Sequence, residues 1–292
     1  MGIGPTGAVA LFMARRRGAT YRSTLTIGRQ HLFLSDAHLA FMQRLRPRLP
    51  DNQLSAFLGH EYGEGLFRAL GAKTVESLDA SAYEGATIIH DLNQPVDERL
   101  KLAYSVVADL GALEHIFNVP AALKNCIDMV EIGGWYIYVG PCNNMMGHGF
   151  YQFSPELFFN FLAHNGFDAI EIFITVDYNP VFFRVADPRF YGARVELLND
   201  EAAQIVVLAR KAEHLRDLVC PIQSDYARSR WRGDHPTPLS QSAEANPSLL
   251  ALIAANKKTG SALLQSPKWV APQFINGFEN TLQYLHVDPF EA

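Results

Sequence analysis

The sequence predicts an α/β protein built on a doubly wound, mostly parallel sheet, and two observations support this expectation. Short apolar runs with strand character alternate with capped or amphipathic helical segments from residue 23 to residue 211. Such alternation builds a parallel sheet with helices on both faces. Several of these runs are followed by acidic or amide side chains, at the strand ends where open α/β sheets bind ligands.

The first helix and the first strand have clear local signals. The apolar segment Ala8–Ala14 precedes three arginines and predicts a helix that ends near Gly18. A secretory signal places its positive charges before the apolar run, so this segment does not fit one. Ser23–Ile27 alternates β-branched and apolar residues and stops at Gly28, as expected for a central strand followed by a tight turn.

Six more strands complete a predicted sheet of seven. They are Thr74–Leu78, Ala86–His90, Tyr104–Ala108, Trp135–Val139, Ala169–Val176 and Gln204–Lys211. The last two have no strong helix between them and can pair antiparallel. A helix from Pro120 through Met129 precedes the turn Gly133-Gly134, and Ser154-Pro155 with Asn165-Gly166 caps another helix.

The chain is expected to divide near residue 211. Residues 1–211 form the α/β domain, with an insertion at about 31–58 that separates the first strand from a helix at Glu61–Leu70. Residues 212–292 are a helical or irregular extension, with helices expected at Ala212–Leu218 and Ser248–Lys257. This extension could form a lid over the site or an arm that contacts another subunit. A homodimer is one expectation.

Composition points to a small-molecule partner. The chain is 48% hydrophobic and 19% charged, with a net charge of -5, which argues against nucleic acid or an anionic membrane as the main partner. Three cysteines without metal or redox spacing fit a reducing cytoplasm. No run reaches the roughly 20 apolar residues that span a bilayer.

A family resemblance follows from the acids at the strand ends and from the segment after the fourth strand. Its most specific part is LEHIFNVPAALKNCIDMVEIGGWYIYVGP, where Glu114-His115 precedes a helix and a glycine pair precedes the fifth strand. Over Tyr21–Lys211 the chain resembles the class I S-adenosylmethionine-dependent methyltransferases. MGHGFYQFSPELF is similar to a bacterial subgroup linked to secondary metabolites and surface sugars. The resemblance implies a Rossmann-like fold and O- or N-methylation of a small molecule.

The resemblance also implies a cofactor site for S-adenosylmethionine. Gly28 would hold the methionine moiety with Arg29 near its carboxylate, and Asp79 would bind the ribose hydroxyls. Asp91 would read the adenine edge beside Leu92, and Asp109 would face the methionine amino group or the substrate. The alternative for each acid is that it only closes its own turn.

One departure from the family pattern keeps two other functions open. The first strand and its loop read TLTIGRQ, with Thr26 where the family has an acid and with Gly28 as the only glycine. A catalytically inactive scaffold or assembly partner on the same fold would tolerate this loss. A nicotinamide-dependent oxidoreductase is the third candidate, although the G-x-G-x-x-G pattern is absent after Ile27.

The catalytic residues are expected just beyond the fourth and fifth strands. His115 is the predicted general base, since an imidazole titrates near neutral pH, and His148 is the second catalytic candidate. The predicted substrate-binding residues are Glu114, Asn143, Tyr151 and Gln152. The alternative for His115 is a structural histidine that bonds the loop before the Pro120 helix. Glu114 would orient His115 or only be solvated, and loop packing is the alternative for His148 and the residues beside it. No metal is predicted, because no further ligand recurs at metal spacing around the adjacent pair Glu114-His115.

Overall fold

The computed structural model describes residues 2–35, 38, 60–176, 182–191, 201–228 and 282–284. Nine strands of these ranges form one sheet, and two short strands form a second, parallel pair. The N-terminal elements are β1 (Gly2–Ile3), α1 (Pro5–Arg16), β2 (Ser23–Ile27) and β3 (His31–Leu32). Helix α1 begins with proline in its first turn and ends with two arginines, an arrangement that suits the helix dipole.

The middle of the chain contributes the parallel strands on one side of the sheet. Its elements are α2 (Glu64–Ala69), β4 (Thr74–Asp79), β5 (Ile88–Ile89), a 3₁₀ turn (Glu98–Leu100), β6 (Tyr104–Leu110) and a second 3₁₀ turn (Leu113–His115). Strand β6 is buried along its whole length, as expected for a central strand covered on both faces.

The rest of the described chain completes the other side. Its elements are α3 (Val119–Met129), β7 (Val130–Asn143), α4 (Pro155–His164), β8 (Phe167–Val176), β9 (Phe183–Val185), α5 (Pro188–Tyr191), β10 (Ala203–Lys211), α6 (Ser224–Arg228) and β11 (Leu282–Tyr284). The helix expected between Ser154-Pro155 and Asn165-Gly166 is confirmed as α4, and Gly166 adopts a positive φ of 83° after it.

The sheet order is β11-β9-β8-β10-β7-β6-β2-β4-β5. Numbered as the predicted strands, the parallel half runs 3-2-1-4-5, the order of doubly wound sheets. Strand β10 pairs antiparallel with both β7 and β8. The Rossmann-like, mostly parallel sheet with an antiparallel last strand is therefore confirmed. The strand count differs, because β9 pairs with β8 and β11 pairs with β9 to extend this edge.

Alternate residues of the strands feed two cores on opposite faces of the sheet. On one face, α1 packs against a cluster that includes Val106 and Ala108. On the other face, α3 and α4 pack against a cluster that includes Val107, Tyr136 and Tyr138. Helices on both faces leave the strand ends as the accessible edge of the sheet.

Three local expectations need correction. The helix expected at Ala212–Leu218 is wrong: the N–H groups of Ala212 and Glu213 both donate to the Gly166 carbonyl, and Val219 N–H donates to Asn165 Oδ1. The third strand is shortened to β5. The glycine pair that was expected to precede the fifth strand lies inside β7, where the pairing register with β6 shifts.

Two regions of the predicted organisation lie largely or wholly outside the described residues. These are most of the insertion at about 31–58 and the expected helix Ser248–Lys257. Within the described ranges, none of the helices combines the length and the apolar character that crossing a membrane requires.

Candidate functional site

The carboxyl ends of the parallel strands bring the predicted cofactor residues to one edge. Ile27 of β2 lies in register with Leu78 of β4 and with Asp109 of β6. Gly28 follows Ile27 with a φ of 72°, and its N–H donates to the Leu78 carbonyl at 2.7 Å. Asp79 is one residue past Leu78. Gly28, Asp79 and Asp109 are therefore neighbours at the sheet edge, as the strand-end argument expects.

Arg29 contacts three other residues of the protein. Its Nε donates to Glu64 Oε1 at 2.8 Å, and its Nη1 donates to the Glu84 carbonyl at 2.9 Å. The guanidinium also lies 3.8 Å from the centroid of the Tyr62 ring, in cation–π geometry. A ligand carboxylate would compete with these contacts for Arg29.

Asp79 and Asp91 both close turns through one oxygen. Asp79 Oδ1 accepts from Ser81 N–H at 3.0 Å. Asp91 Oδ1 accepts from the backbone N–H of Asn93 at 2.9 Å and from its side-chain amide at 2.7 Å. The backbone hydrogen bond from Asn93 is the main cause that lowers the pKa of Asp91. Both acids thus close turns, with their Oδ2 atoms outside these hydrogen bonds.

The loop that carries Asp91 is fastened to α3 by one buried amide. Asn125 Nδ2 donates to the carbonyls of Leu92 at 2.9 Å and Gln94 at 2.7 Å, and its Oδ1 accepts from Val96 N–H at 3.0 Å. Leu92 is buried beneath this loop. No local sequence pattern predicts these contacts, since an asparagine inside a helix has no distinctive pattern.

Asp109 is completely buried at the end of β6. Its Oδ1 accepts from Ala112 N–H at 2.8 Å, while Oδ2 has no hydrogen-bond partner among the described residues. Burial raises the pKa of Asp109 to about 8, and the nearby Glu114 carboxylate adds to the rise. An unsatisfied buried carboxyl oxygen is costly, so this atom is a natural partner for a ligand donor or for a proton.

Glu114 lies in the second 3₁₀ turn and is also completely buried. Tyr138 Oη donates to its Oε2 at 3.2 Å, and Oε1 has no hydrogen-bond partner among the described residues. Burial raises the pKa of Glu114 to about 7, although the Tyr138 hydrogen bond acts in the opposite direction. Tyr138 was not anticipated as a site residue, since it is one of two tyrosines in an apolar strand.

His115 and His148 meet in front of Glu114. Their ring centroids are 5.8 Å apart, and His148 Nε2 lies 3.6 Å from Glu114 Oε1. Burial lowers the pKa of His115, and the neighbouring His148 lowers it further. The loop that carries His148 is anchored by Phe150 N–H, which donates to the Glu114 carbonyl at 2.8 Å. The structure thus joins the two predicted catalytic histidines.

A cavity of about 420 Å³ opens beside this cluster. Its wall includes Glu114, His115 and His148, the ends of β6 and β7, and the backbone of Gly2, Gly4 and Gly7. The volume lies in the range of small-molecule sites. Gly2–Gly7 also matches the G-x-G-x-x-G pattern. Strand β1 pairs with β3 outside the main sheet, so the pattern lacks its dinucleotide-binding context.

The remaining predicted substrate residues brace the loop after β7. Tyr151 Oη donates to the Phe117 carbonyl at 2.8 Å, and Gln152 Oε1 accepts from Met145 N–H at 2.7 Å. Asn143 is the last residue of β7. Among the described residues that line the cavity, Glu114 is the one predicted substrate contact. A substrate role for all four residues stays a prediction.

The structure also changes the basis of the metal expectation. No third metal ligand lies near Glu114 and His115 in the sequence, but the fold brings His148 close to them. One ligand atom from each residue lies within 4.8 Å of the others. Loop geometry across two strands creates this grouping, and local spacing does not reveal it.

Comparison with known proteins finds similarity among solved structures. No family model and no curated protein matches the chain. An S-adenosylmethionine-dependent methyltransferase from Thermotoga maritima is 12% identical with a TM-score of 0.37, over 70% of this chain and 89% of its own. One from Archaeoglobus fulgidus is 12% identical with a TM-score of 0.35, over 70% and 95%. The trans-methyltransferase CalH, in complex with SAH, is 15% identical with a TM-score of 0.35, over 70% and 55%.

Each of these three solved structures is named as a methyltransferase. With TM-scores of 0.35 to 0.37, these likenesses assign no activity to this chain by themselves. The strand order and the contacts described above stand independently of them.

Proposed function

We propose that this protein is an S-adenosylmethionine-dependent methyltransferase that acts on a small molecule. The observation that supports it most is the carboxyl edge of a doubly wound sheet, which places Gly28, Asp79 and Asp109 beside one another. Nucleotide-like ligands bind at such edges because side chains from successive strands converge there.

The residues at this edge fit the cofactor in part. Asp79 is partly exposed and keeps Oδ2 outside its turn hydrogen bond, as a pair of ribose hydroxyls requires. Asp91 and Leu92 are the matching pair for an adenine edge, and Asp109 Oδ2 lacks a donor that an amino group would supply. Arg29 fits less well, because Glu64 already binds its guanidinium.

The side chains of the protein would then have two tasks. Bound S-adenosylmethionine supplies an activated methyl group, so positioning of the acceptor accounts for much of the rate. The cluster of Glu114, His115 and His148 faces the cavity and is suited to orient an acceptor and take its proton. The lowered pKa of His115 keeps its imidazole neutral near pH 7, and the neutral imidazole is the form that can accept a proton.

The cavity suits a small acceptor methylated on oxygen or nitrogen. We place the activity in the biosynthesis of secondary metabolites or surface sugars, following the resemblance of the segment after β7. A non-catalytic scaffold is the second candidate. It is favoured by one specific observation, the ion pair that holds Arg29 against Glu64 in the loop after the first core strand.

Calorimetric titration with S-adenosylmethionine and S-adenosylhomocysteine tests the cofactor site. We expect micromolar binding to the parent and at least 10-fold weaker binding to Asp79→Ala, the cost of about 1.4 kcal/mol in lost hydrogen bonds. Asp97→Ala is the matched control. Asp97 closes an exposed turn through Arg99 N–H in the same way, and it does not end a core strand. Absence of binding to the parent would favour the scaffold.

His115→Ala tests the catalytic assignment. Turnover should fall about 100-fold, the usual contribution of a general base, while cofactor affinity stays within twofold of the parent. Equal turnover in the two proteins would remove His115 from the mechanism.

A further inference from the structure

Three side chains with metal-binding atoms converge at the mouth of the cavity. Glu114 and His115 come from the 3₁₀ turn after β6, and His148 comes from the loop after β7. One ligand atom from each lies within 4.8 Å of the others. Two imidazoles and one carboxylate form a ligand set typical of zinc and related metals.

The buried carboxylate of Glu114 is only half satisfied. Tyr138 binds Oε2, but Oε1 has no hydrogen-bond donor among the described residues, although the side chain is completely buried. His148 Nε2 is 3.6 Å from this oxygen, which is too far for a hydrogen bond. The orphaned oxygen points to a missing partner between Glu114 and the histidines.

The local charge favours a cation as that partner. Among the described residues, Glu114 has no ion pair with lysine or arginine, and its basic neighbours are His115 and His148. The carboxyl of Asp109 is buried close by and interacts electrostatically with Glu114. Buried carboxylates are stable when paired or when they coordinate a metal, so a divalent ion would stabilise the ionised form of Glu114.

The distances leave room for one ion. Two ligands of a tetrahedral zinc ion, each bound at about 2.0–2.1 Å, are about 3.3 Å apart. The observed 3.6 Å between His148 Nε2 and Glu114 Oε1 is close to this separation. His115 and His148 are both exposed, so small side-chain rotations can bring their nitrogen atoms inward. Tyr138 would serve as the outer partner that orients the ligating carboxylate.

We propose that Glu114, His115 and His148 bind one divalent first-row transition metal of the zinc type, with an open coordination position that faces the cavity. This position would take an oxygen or nitrogen atom of a small ligand. The metal site follows from the three side chains themselves, so it does not depend on methyl transfer. If the proposed function also holds, the metal would hold the acceptor and lower the pKa of its proton at the same cluster, and His115 would act there as a metal ligand in place of a free base.

Equilibrium dialysis of the full chain against Zn²⁺, with metal counted by atomic spectroscopy, tests the site. We expect about one tightly bound ion per chain in the parent and at least about 10-fold weaker binding in His148→Ala and in Glu114→Gln. His90→Ala is the control for loss of a histidine, because β5 is separated from β6 by two strands of the sheet. It should bind like the parent.

His148→Ala keeps the test decisive if Glu114→Gln does not fold, since the His148 side chain is 45% exposed. Co²⁺ loading gives a second readout: the parent should show a visible absorption band that His148→Ala lacks. Equal Zn²⁺ binding by the parent and His148→Ala would overturn the proposal. Zinc binding without any S-adenosylmethionine binding would support the metal site and contradict the proposed function. S-adenosylmethionine binding without zinc binding would support the proposed function and contradict the metal site.

Discussion

The Tyr138 hydroxyl donates a 3.2 Å hydrogen bond to Oε2 of Glu114, and this bond joins β7 to the turn that follows β6. Both side chains are completely buried. The bond fixes the carboxylate plane, which leaves Oε1 on the side of His148. The orientation of Glu114 in the candidate site therefore depends on an aromatic residue of the core.

Tyr138→Phe should remove this donor without changing the packing of the ring. We expect a loss of about 1–2 kcal/mol in the free energy of unfolding, because a buried carboxylate oxygen loses its partner. The pKa of Glu114 should rise further, since this hydrogen bond lowers it. Urea unfolding at pH 7 measures the loss.

Tyr136→Phe is the matched control for this experiment. Tyr136 lies two residues away on the same face of β7 and is equally buried, but its hydroxyl has no partner stronger than the neighbouring Cys126 thiol. Its removal should cost less than about 0.5 kcal/mol. Equal losses in the two variants would mean that the Tyr138 bond contributes no stability.

The elements that the sequence predicted best are those with local signals. Ser23–Ile27 is observed with the predicted bounds as β2, because alternation and a terminal glycine define it without help from the rest of the chain. The segment Ala212–Leu218 lacks the expected helix, and the N–H groups of Ala212 and Glu213 bond to the Gly166 carbonyl just after α4. Propensity could not anticipate those partners, since they come from a distant part of the sequence.

The candidate site shows the same division. Strand ends are local features, so the positions of Asp79 and Asp109 at one edge followed from the pattern of elements. Contacts that depend on the paths of loops could not be predicted from the pattern of elements. The meeting of His148 with Glu114 and the ion pair between Arg29 and Glu64 each join residues that sequence spacing does not relate.

Asn125→Ala should loosen the loop that carries Asp91. Asn125 makes three buried or partly buried hydrogen bonds to the backbone of residues 92–96, so its loss should lower the free energy of unfolding by about 2–3 kcal/mol. Urea denaturation measures this change. Affinity for S-adenosylmethionine should fall as well if the proposed adenine contact at Asp91 is correct.

Asn118→Ala controls for loss of an amide near the same loop. Asn118 is exposed, and its side chain makes one long hydrogen bond, of 3.4 Å, to the Asn93 carbonyl. A change within about 0.5 kcal/mol is expected. If Asn118→Ala lowers the free energy of unfolding as much as Asn125→Ala does, the buried hydrogen bonds of Asn125 are not the reason for the loss of stability.

Gly149→Ala should displace the loop that carries His148. A Cβ at Gly149 would lie 2.8 Å from the Glu114 carbonyl oxygen, the atom that accepts from Phe150 N–H. Relief of this overlap should cost about 1–3 kcal/mol of stability. The affinity for Zn²⁺ should fall with it, because His148 moves away from Glu114. Thermal unfolding and dialysis measure the two effects.

Gly147→Ala is the control in the same loop. A Cβ there has no neighbour within 4 Å, so the added methyl group meets open space. Stability should stay equal or rise by up to about 1 kcal/mol, since alanine restricts the unfolded chain. Matching losses at the two glycines would show that the loop is not held at Gly149.

Lys211 gives the protein a predictable dependence of stability on alkaline pH. Its buried ammonium donates to the carbonyls of Ile127 at 2.6 Å and Val130 at 2.9 Å, near the C-terminal end of α3, where carbonyl groups lack helical partners. Burial lowers the pKa of Lys211 to about 8, although nearby Asp128 acts in the opposite direction. The unfolded chain keeps this proton up to about pH 10.5.

Between about pH 8 and 10.5 the unfolded state therefore binds more protons at this residue than the folded state, and the contribution of Lys211 to stability rises with pH.

Lys211→Met lacks this titration and leaves the two carbonyls without their donor. It should be about 1–3 kcal/mol less stable than the parent at pH 7, and the gap should widen by about 1–2 kcal/mol at pH 9.5. Lys73→Met, at an exposed position, controls for the loss of a positive charge and should stay within about 0.5 kcal/mol of the parent at pH 7. Urea unfolding at the two pH values decides the matter, because a gap that narrows as the pH rises would contradict the assigned shift.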